Sequence, residues 1–154
     1  MKTRAFEFKL TRHVEFSDTD MAGIVHFSSF FRYMEATEAA FFRSQGYSIF
    51  PGEGDETVGW PRVHADCDFK KPLRFEDVVE IHLLVREKGR KSIAYTFIFR
   101  KLNQSPAEEV ARGTLVVACV KRDRANGKMV AVEIPEAIAD KIQEAPRELL
   151  ETSP

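Results

Sequence analysis

The chain has little that would mark it as a secreted, nucleic-acid-binding or membrane-spanning protein. Its two cysteines, Cys67 and Cys119, lie in apolar strand-like runs without metal-ligand spacing, which predicts free thiols in a reducing compartment. The formal net charge of -1 excludes a global attraction to nucleic acid or anionic membrane. No apolar run approaches the ~20 residues of a membrane span, and no apolar signal segment stands at the N-terminus. We therefore expect a cytoplasmic protein.

Repeats, low-complexity tracts and linkers are also missing from the sequence. Its 154 residues, of which 44% are hydrophobic, are enough to bury a core without disulfides or metals. We expect a single domain over residues 1–154.

Two periodic patterns open the chain. Alternation from Phe6 to Phe16 predicts a half-buried strand. A long helix follows, with Ser28 or Ser29 as N-cap and Gly46 as its stop. Its apolar residues recur at helical spacing around most of its circumference, so we expect it to be wrapped by other elements. These residues are Phe27, Phe30, Phe31, Met34, Thr37, Phe41 and Phe42.

Short alternating runs fill the rest of the chain and predict antiparallel strands. After a Gly- and acid-rich loop at residues 50–56, the runs are Val63–Phe69, Val79–Val85, Ile93–Phe99 and about Glu109–Lys121, then a short strand near Val130 and a helix opened by Pro135. One sheet and one long apolar helix predict an α+β fold in which the antiparallel sheet curls around the helix. Such a sheet keeps an open edge, so self-association is expected.

The segment between the first strand and the helix concentrates reactive groups. Asp18, Asp20, Gly23 and His26 crowd into a turn that leads onto a helix N-terminus. A carboxylate beside unpaired backbone N–H donors supplies what acyl transfer requires, which is a nucleophile or base and a place for the developing oxyanion.

The chain resembles the hotdog-fold acyl-CoA thioesterases of the 4-hydroxybenzoyl-CoA thioesterase-like family. The resemblance covers nearly the whole chain and rests on Glu15-Phe16-Ser17-Asp18-Thr19-Asp20, Ala22-Gly23-Ile24-Val25, the aromatic helix, Pro72-Leu73-Arg74-Phe75-Glu76-Asp77 and Arg90-Lys91-Ser92. It implies a hotdog fold, a homodimer that often forms a tetramer, and a coenzyme A thioester as substrate. No metal or redox cofactor is expected, because the thioester is already activated.

The resemblance also implies roles for individual residues. Asp20 matches the catalytic carboxylate, which attacks the thioester carbonyl or activates water. Gly23 matches the tight turn that brings the backbone close to the thioester, and the amide of Phe27 matches the donor that polarises the carbonyl. Arg90 and Lys91 match a basic turn that meets the phosphates of coenzyme A. With Lys88 they form the best basic cluster for that group.

Several charged positions near the turn and on the helix need separate interpretation. His26 lies one position earlier than the histidine of some relatives, and could orient substrate, act as an acid or base, or satisfy a buried position. Asp20 could be only a turn-forming residue, whereas Asp18 is expected to brace the turn. Glu35 and Glu38 on the helix stay outside the predicted catalytic set.

The sequence also leaves alternatives to thioester hydrolysis. His64, Asp66 and Asp68 share one strand face, but no fourth ligand is suggested and a polar outer face gives the same pattern, so no metal site is predicted. The alternatives are a non-catalytic acyl-CoA-binding or regulatory module on the same fold, and an enoyl-CoA hydratase.

Overall fold

A five-stranded antiparallel sheet packs against one long helix in a computed structural model that describes residues 4–50 and 57–151. The main elements are β1 (Glu7–His13), α1 (Phe27–Ser44), β2 (Arg62–Phe69), β3 (Val78–Lys88), β4 (Ser92–Lys101) and β5 (Glu108–Ala118). The strand order is β1-β3-β4-β5-β2. The predicted α+β architecture is therefore confirmed, whereas most of the loop predicted at 50–56 lies outside the described residues.

The sheet holds α1 against one of its faces, as predicted for a wrapped helix. Alternate residues of β3 and β4 point toward the helix and are fully buried: Val79, Ile81, Leu83, Val85, Ile93, Tyr95, Phe97 and Phe99. The approach is close at Gly113 of β5, where an added Cβ would lie 2.0 Å from Cε of Met34. A side chain at this position would collide with the helix, so the small residue allows the contact.

The C-terminal third differs from the prediction. The strand predicted to run to Lys121 is interrupted, and the chain continues as a hairpin of β6 (Val120–Arg122) and β7 (Met129–Ala131). Pro135 caps a helix of only four residues, α2 (Glu136–Ala139). A further helix, α3 (Arg147–Glu151), was not predicted. Its leucines pack over Leu84 and Ile98 on the sheet face opposite α1.

Two boundaries near the start of α1 also differ from the prediction. Strand β1 ends at His13 and the chain forms a 3-10 turn over Phe16–Asp18, so the Phe16 side chain is 78% exposed. The N-cap of α1 is His26, not a serine, because its ring Nδ1 accepts the N–H of Ser28.

The predicted end of α1 is confirmed, since Gly46 follows the C-cap with a φ of +88°.

Strand β2 forms an open edge of the sheet and is more exposed than its alternating pattern suggested. Val63 is 61% exposed, whereas Cys67 packs against the main core and the Phe69 ring meets the buried Phe30 edge to face. The N–H of Lys70 donates to the carbonyl of Val110 on β5. Backbone groups alternate along a strand, so Ala65 and Cys67 direct their N–H and C=O groups toward the open edge. This edge can pair with another strand.

A buried ion pair joins α1 to the beginning of β2. Nη2 of Arg62 lies 2.6 Å from Oε1 of the fully buried Glu38, and Nη1 donates to the carbonyl of Trp60. Oε2 of Glu38 and the nearby hydroxyl of Tyr95 have no hydrogen-bond geometry with any described group. Burial raises the pKa of Glu38 and outweighs the opposing effect of Arg62.

Candidate active site

The turn at Asp20 fixes one carboxylate oxygen and leaves the other available. Oδ1 accepts the N–H of Ala22 at 2.8 Å and lies 3.5 Å from the N of Ile24. The backbone closes the turn, because the N–H of Asp20 donates to Ile24 O and that of Gly23 donates to Asp20 O. Among residues 4–50 and 57–151 no donor contacts Oδ2 of this half-buried aspartate. The turn-forming and reactive interpretations of Asp20 are therefore compatible.

Gly23 is required for the shape of this turn rather than for close packing. Its φ is +81°, in the left-handed region that L side chains rarely adopt. An added Cβ would meet no atom within 4 Å in this chain. The space that the missing side chain leaves above the turn stays open.

Asp18 braces the turn against α1, as the sequence predicted. Its carboxylate accepts the hydroxyl of Tyr33 and the N–H of Glu15, each at 2.9 Å. Its carbonyl accepts the N–H of His26 and the hydroxyl of Ser29. Burial, followed by the Asp18 carboxylate, raises the pKa of Tyr33, which therefore stays a hydrogen-bond donor. The roles of Tyr33 and Ser29 were not predicted, although helical spacing places both on one face.

The first turn of α1 leaves one backbone donor unpaired beside the Asp20 turn. The N–H of Ser28 goes to His26 Nδ1 at 3.2 Å, and the N–H of Ser29 goes to the His26 carbonyl. The N–H of Phe27 has no acceptor in the described part of the chain. The first turn holds no acidic side chain, so the positive end of the helix dipole is not offset locally.

Exposed apolar side chains surround this turn. They form what we call the aromatic patch, which consists of Phe16, Met21, Phe27 and Phe75. The rings of Phe16 and Phe75 meet edge to face at 6.1 Å, and the Phe27 ring, 62% exposed, stacks on His26. Large exposed apolar side chains that lie on one segment in this way indicate a surface that a ligand or a partner covers.

The predicted basic turn lies far from Asp20 within one chain. His13 at the end of β1 pairs with Val78 at the start of β3, whereas Arg90 and Lys91 follow the end of β3. That strand has 11 residues, which corresponds to about 35 Å. Arg90 forms an ion pair with an exposed glutamate of the C-terminal segment, Glu133. The structure therefore does not bring the two halves of the predicted site together in one protomer.

Lys88 must be removed from the predicted basic cluster. Its Nζ donates to the carbonyls of Ala139 and Ile142 at 3.0 and 2.9 Å, so it binds the C-terminal segment. Within the two described ranges no three His, Cys, Asp or Glu side chains are grouped as metal ligands. None of the described helices is long and apolar enough to cross a membrane.

Comparisons with known proteins identify the family. A sequence profile described as the thioesterase-like superfamily matches residues 14–142. The chain therefore belongs to this superfamily, and its sheet and helix are those of a hotdog-fold thioesterase.

Particular relatives agree with this assignment. The chain is 32% identical over 110 residues to a 1,4-dihydroxy-2-naphthoyl-CoA hydrolase of Prochlorococcus marinus (strain MIT 9313), covering 67% of this chain and 73% of that protein. A hypothetical protein of Aquifex aeolicus has a solved structure with 33% identity and a TM-score of 0.76, covering 88% and 99% of the two chains. The 4-hydroxybenzoyl CoA thioesterase of Pseudomonas sp. strain CBS-3, at 22% identity and TM-score 0.75 over 88% and 99%, shows the same fold.

Proposed function

We propose that the protein hydrolyses an acyl- or aryl-coenzyme A thioester to the free acid and coenzyme A. The observation that carries this proposal is that an Asp20 oxygen and the N–H of Phe27, on the braced segment that leads into α1, both lack a partner among the described residues. Membership of the thioesterase-like superfamily supports the reaction class. The names of several relatives, 1,4-dihydroxy-2-naphthoyl-CoA hydrolases among them, favour testing aromatic thioesters.

Two routes use the same groups. Oδ2 of Asp20 attacks the thioester carbonyl, expels the thiolate and forms an acyl-aspartyl anhydride that water hydrolyses, or it takes a proton from the attacking water. In both routes the carbonyl oxygen gains negative charge. The N–H of Phe27 and the positive end of α1 stabilise that charge, and Gly23 keeps the approach to the carbonyl open.

We further propose that a second copy completes the site by pairing along β2. Antiparallel pairing centred on Ala65 places His64 opposite Asp66 of the other copy, so unlike side chains meet. It also brings the basic turn of the second copy to the end of the sheet where Asp20 lies. Arg90 and Lys91 would then contact the phosphates of a thioester bound to the other protomer. A tetramer of such pairs and a cytoplasmic location stay predictions.

The two alternative functions, a non-catalytic binding module and a hydratase, predict different experimental results. A non-catalytic binding module would bind acyl-CoA without releasing thiol. A hydratase would change the absorbance of an enoyl thioester, also without thiol release. An Asp20 oxygen without a described donor favours a catalytic role over binding alone, because binding a thioester does not need a free carboxylate oxygen, and membership of the thioesterase-like superfamily favours hydrolysis over hydration.

Thiol release from short, long and aromatic acyl-CoA thioesters tests the proposal, with Asp20→Asn as the variant. Asp123→Asn is a matched control, because Asp123 Oδ1 also accepts an N–H two residues on, at 2.8 Å, in an exposed turn. We expect wild-type turnover, a loss on the order of 10² or more in Asp20→Asn, and none in the control. Full turnover in Asp20→Asn would remove Asp20 from the mechanism, and absence of release from every thioester would reject hydrolysis.

A further inference from the structure

The hydrogen-bond directions around His26 can be assigned from the chemistry of its neighbours. A guanidinium can only donate, and Nη1 of Arg32 lies 3.3 Å from Oγ of Ser28, so this hydroxyl oxygen accepts. Its own proton is then available for His26 Nδ1, 2.8 Å away. The backbone N–H of Ser28 points at the same Nδ1 from 3.2 Å.

The backbone N–H can only donate, so that contact requires Nδ1 to be an acceptor and places the ring proton on Nε2, and the hydroxyl contact is compatible with the same assignment. A proton on Nδ1 would point at the N–H of Ser28, and the hydrogen bond that caps the helix would be lost. Arg32 is itself fixed, because Nη2 donates at 2.7 Å to Ser29, whose hydroxyl donates to the carbonyl of Asp18. The side chains that select the tautomer are thus bound to the same brace that holds the Asp20 turn.

We infer that Ser28 and Arg32 hold His26 as its Nε2–H tautomer, and that this N–H is a second donor to the thioester carbonyl beside the N–H of Phe27. The inference rests on the proposed function. His26 and Phe27 are consecutive, their rings stack at 4.6 Å with an angle of 28°, and no described residue accepts from Nε2. A simple capping role explains the contact to the Ser28 N–H but gives no purpose to the donor at Nε2.

The variant His26→Asn separates capping from donation. Asparagine is among the best N-cap residues, so the helix cap and the thermal midpoint should be kept, while the donor at the position of Nε2 is removed. We expect kcat to fall at least tenfold with KM changed less than threefold, since a donor that acts on the oxyanion lowers kcat. Wild-type kcat in His26→Asn would overturn the inference and leave His26 as a cap.

The tautomer can be measured without any activity, by ¹⁵N NMR of histidine-labelled protein. His82 is an internal reference, because its Nδ1 lies 3.2 Å from Arg100 Nη1 and its Nε2 lies 2.9 Å from Glu7, which defines the same tautomer. We expect His26 to match His82, and Ser28→Ala, which keeps the backbone N–H but loses the hydroxyl, to show a weaker preference for the Nε2–H tautomer and a several-fold lower kcat. Ser44→Ala, at the far end of α1, is the matched control and should resemble wild type.

The NMR measurement and the kinetic measurements together separate this inference from the proposed function. A ring proton on Nδ1 of wild-type His26, or a Ser28→Ala variant unchanged in both tautomer and kcat, would overturn the inference even if thioesters are hydrolysed. Absence of thiol release from the wild type would reject the proposed function, and with it the donor role, whatever the tautomer.

Discussion

Removal of Arg62 tests the electrostatics of the buried link between α1 and the edge strand. In Arg62→Met the fully buried Glu38 carboxylate loses the partner held at 2.6 Å, while Oε2 already lacks a hydrogen bond among the described groups. Breaking a buried pair costs roughly 3–5 kcal/mol. The Arg62 side chain is 34% exposed, so solvent already screens the pair and we expect a loss of about 3 kcal/mol at pH 8.

The loss should depend on pH in a defined direction. Burial already raises the pKa of Glu38 above its ordinary value of 4.5, and removal of the cation raises it further. A raised pKa means that the folded state keeps the Glu38 proton to a higher pH than the unfolded state does. The contribution of Glu38 to stability is therefore most favourable below pH 4.5 and declines as pH rises through the folded-state pKa. Between pH 4.5 and the folded-state pKa, the free energy of unfolding falls by up to about 1.4 kcal/mol per pH unit. This pH range is wider in the variant than in wild type, because the folded-state pKa of Glu38 is higher there.

Urea denaturation of wild type and Arg62→Met between pH 5 and 8 measures this directly. Adding Glu38→Gln to the variant removes the titrating group and should restore much of the stability and flatten the pH dependence. Arg90→Met breaks an ion pair at a solvent-exposed arginine and should have little effect. An equal loss of stability at pH 5 and pH 8 would refute the reasoning, because the cost would then come from lost packing and not from a buried charge.

Two further predictions concern the assembly and the brace. Ala65→Pro removes an N–H that points to the open edge of β2 without breaking a bond to β5, so it should weaken the dimer at least tenfold in analytical ultracentrifugation. An unchanged dimer would show that copies associate elsewhere. Tyr33→Phe takes a donor from the buried Asp18 carboxylate and should cost about 1–2 kcal/mol in thermal unfolding. It should also lower kcat several-fold, because the brace holds the Asp20 turn; a stability loss with unchanged kcat would mean that the brace does not position the turn.

Local periodicity made the central elements predictable. The alternation of β3 and β4 and the helical spacing of α1 are properties of neighbouring residues, and the structure shows them close to the predicted bounds. The Asp20 turn was predictable for the same reason, since its hydrogen bonds join residues no more than four apart. Its reactivity was inferred from a family resemblance, which the superfamily match supports.

Features that depend on distant residues were missed. The pairing of Glu38 with Arg62 spans 24 residues, and the packing of α3 on Leu84 depends on where the chain end returns to the sheet. Phe16 follows the apolar alternation yet is exposed, because the chain leaves the sheet after Val14, whose N–H bonds to Asp77. The N-cap was assigned to serine by residue preference, whereas His26 takes the capping position and its ring accepts the N–H of Ser28.

By itself the sequence determined the central elements, the turn at Asp20 and the family, because hydrophobic period, turn-forming residues and motif are properties of residues close together in the chain. Only the tertiary structure decided that Arg90 and Lys91 lie at the opposite end of the sheet from Asp20, and that β2 is an open edge. Strand order and direction set both facts, and they arise from long-range pairing that no local pattern encodes.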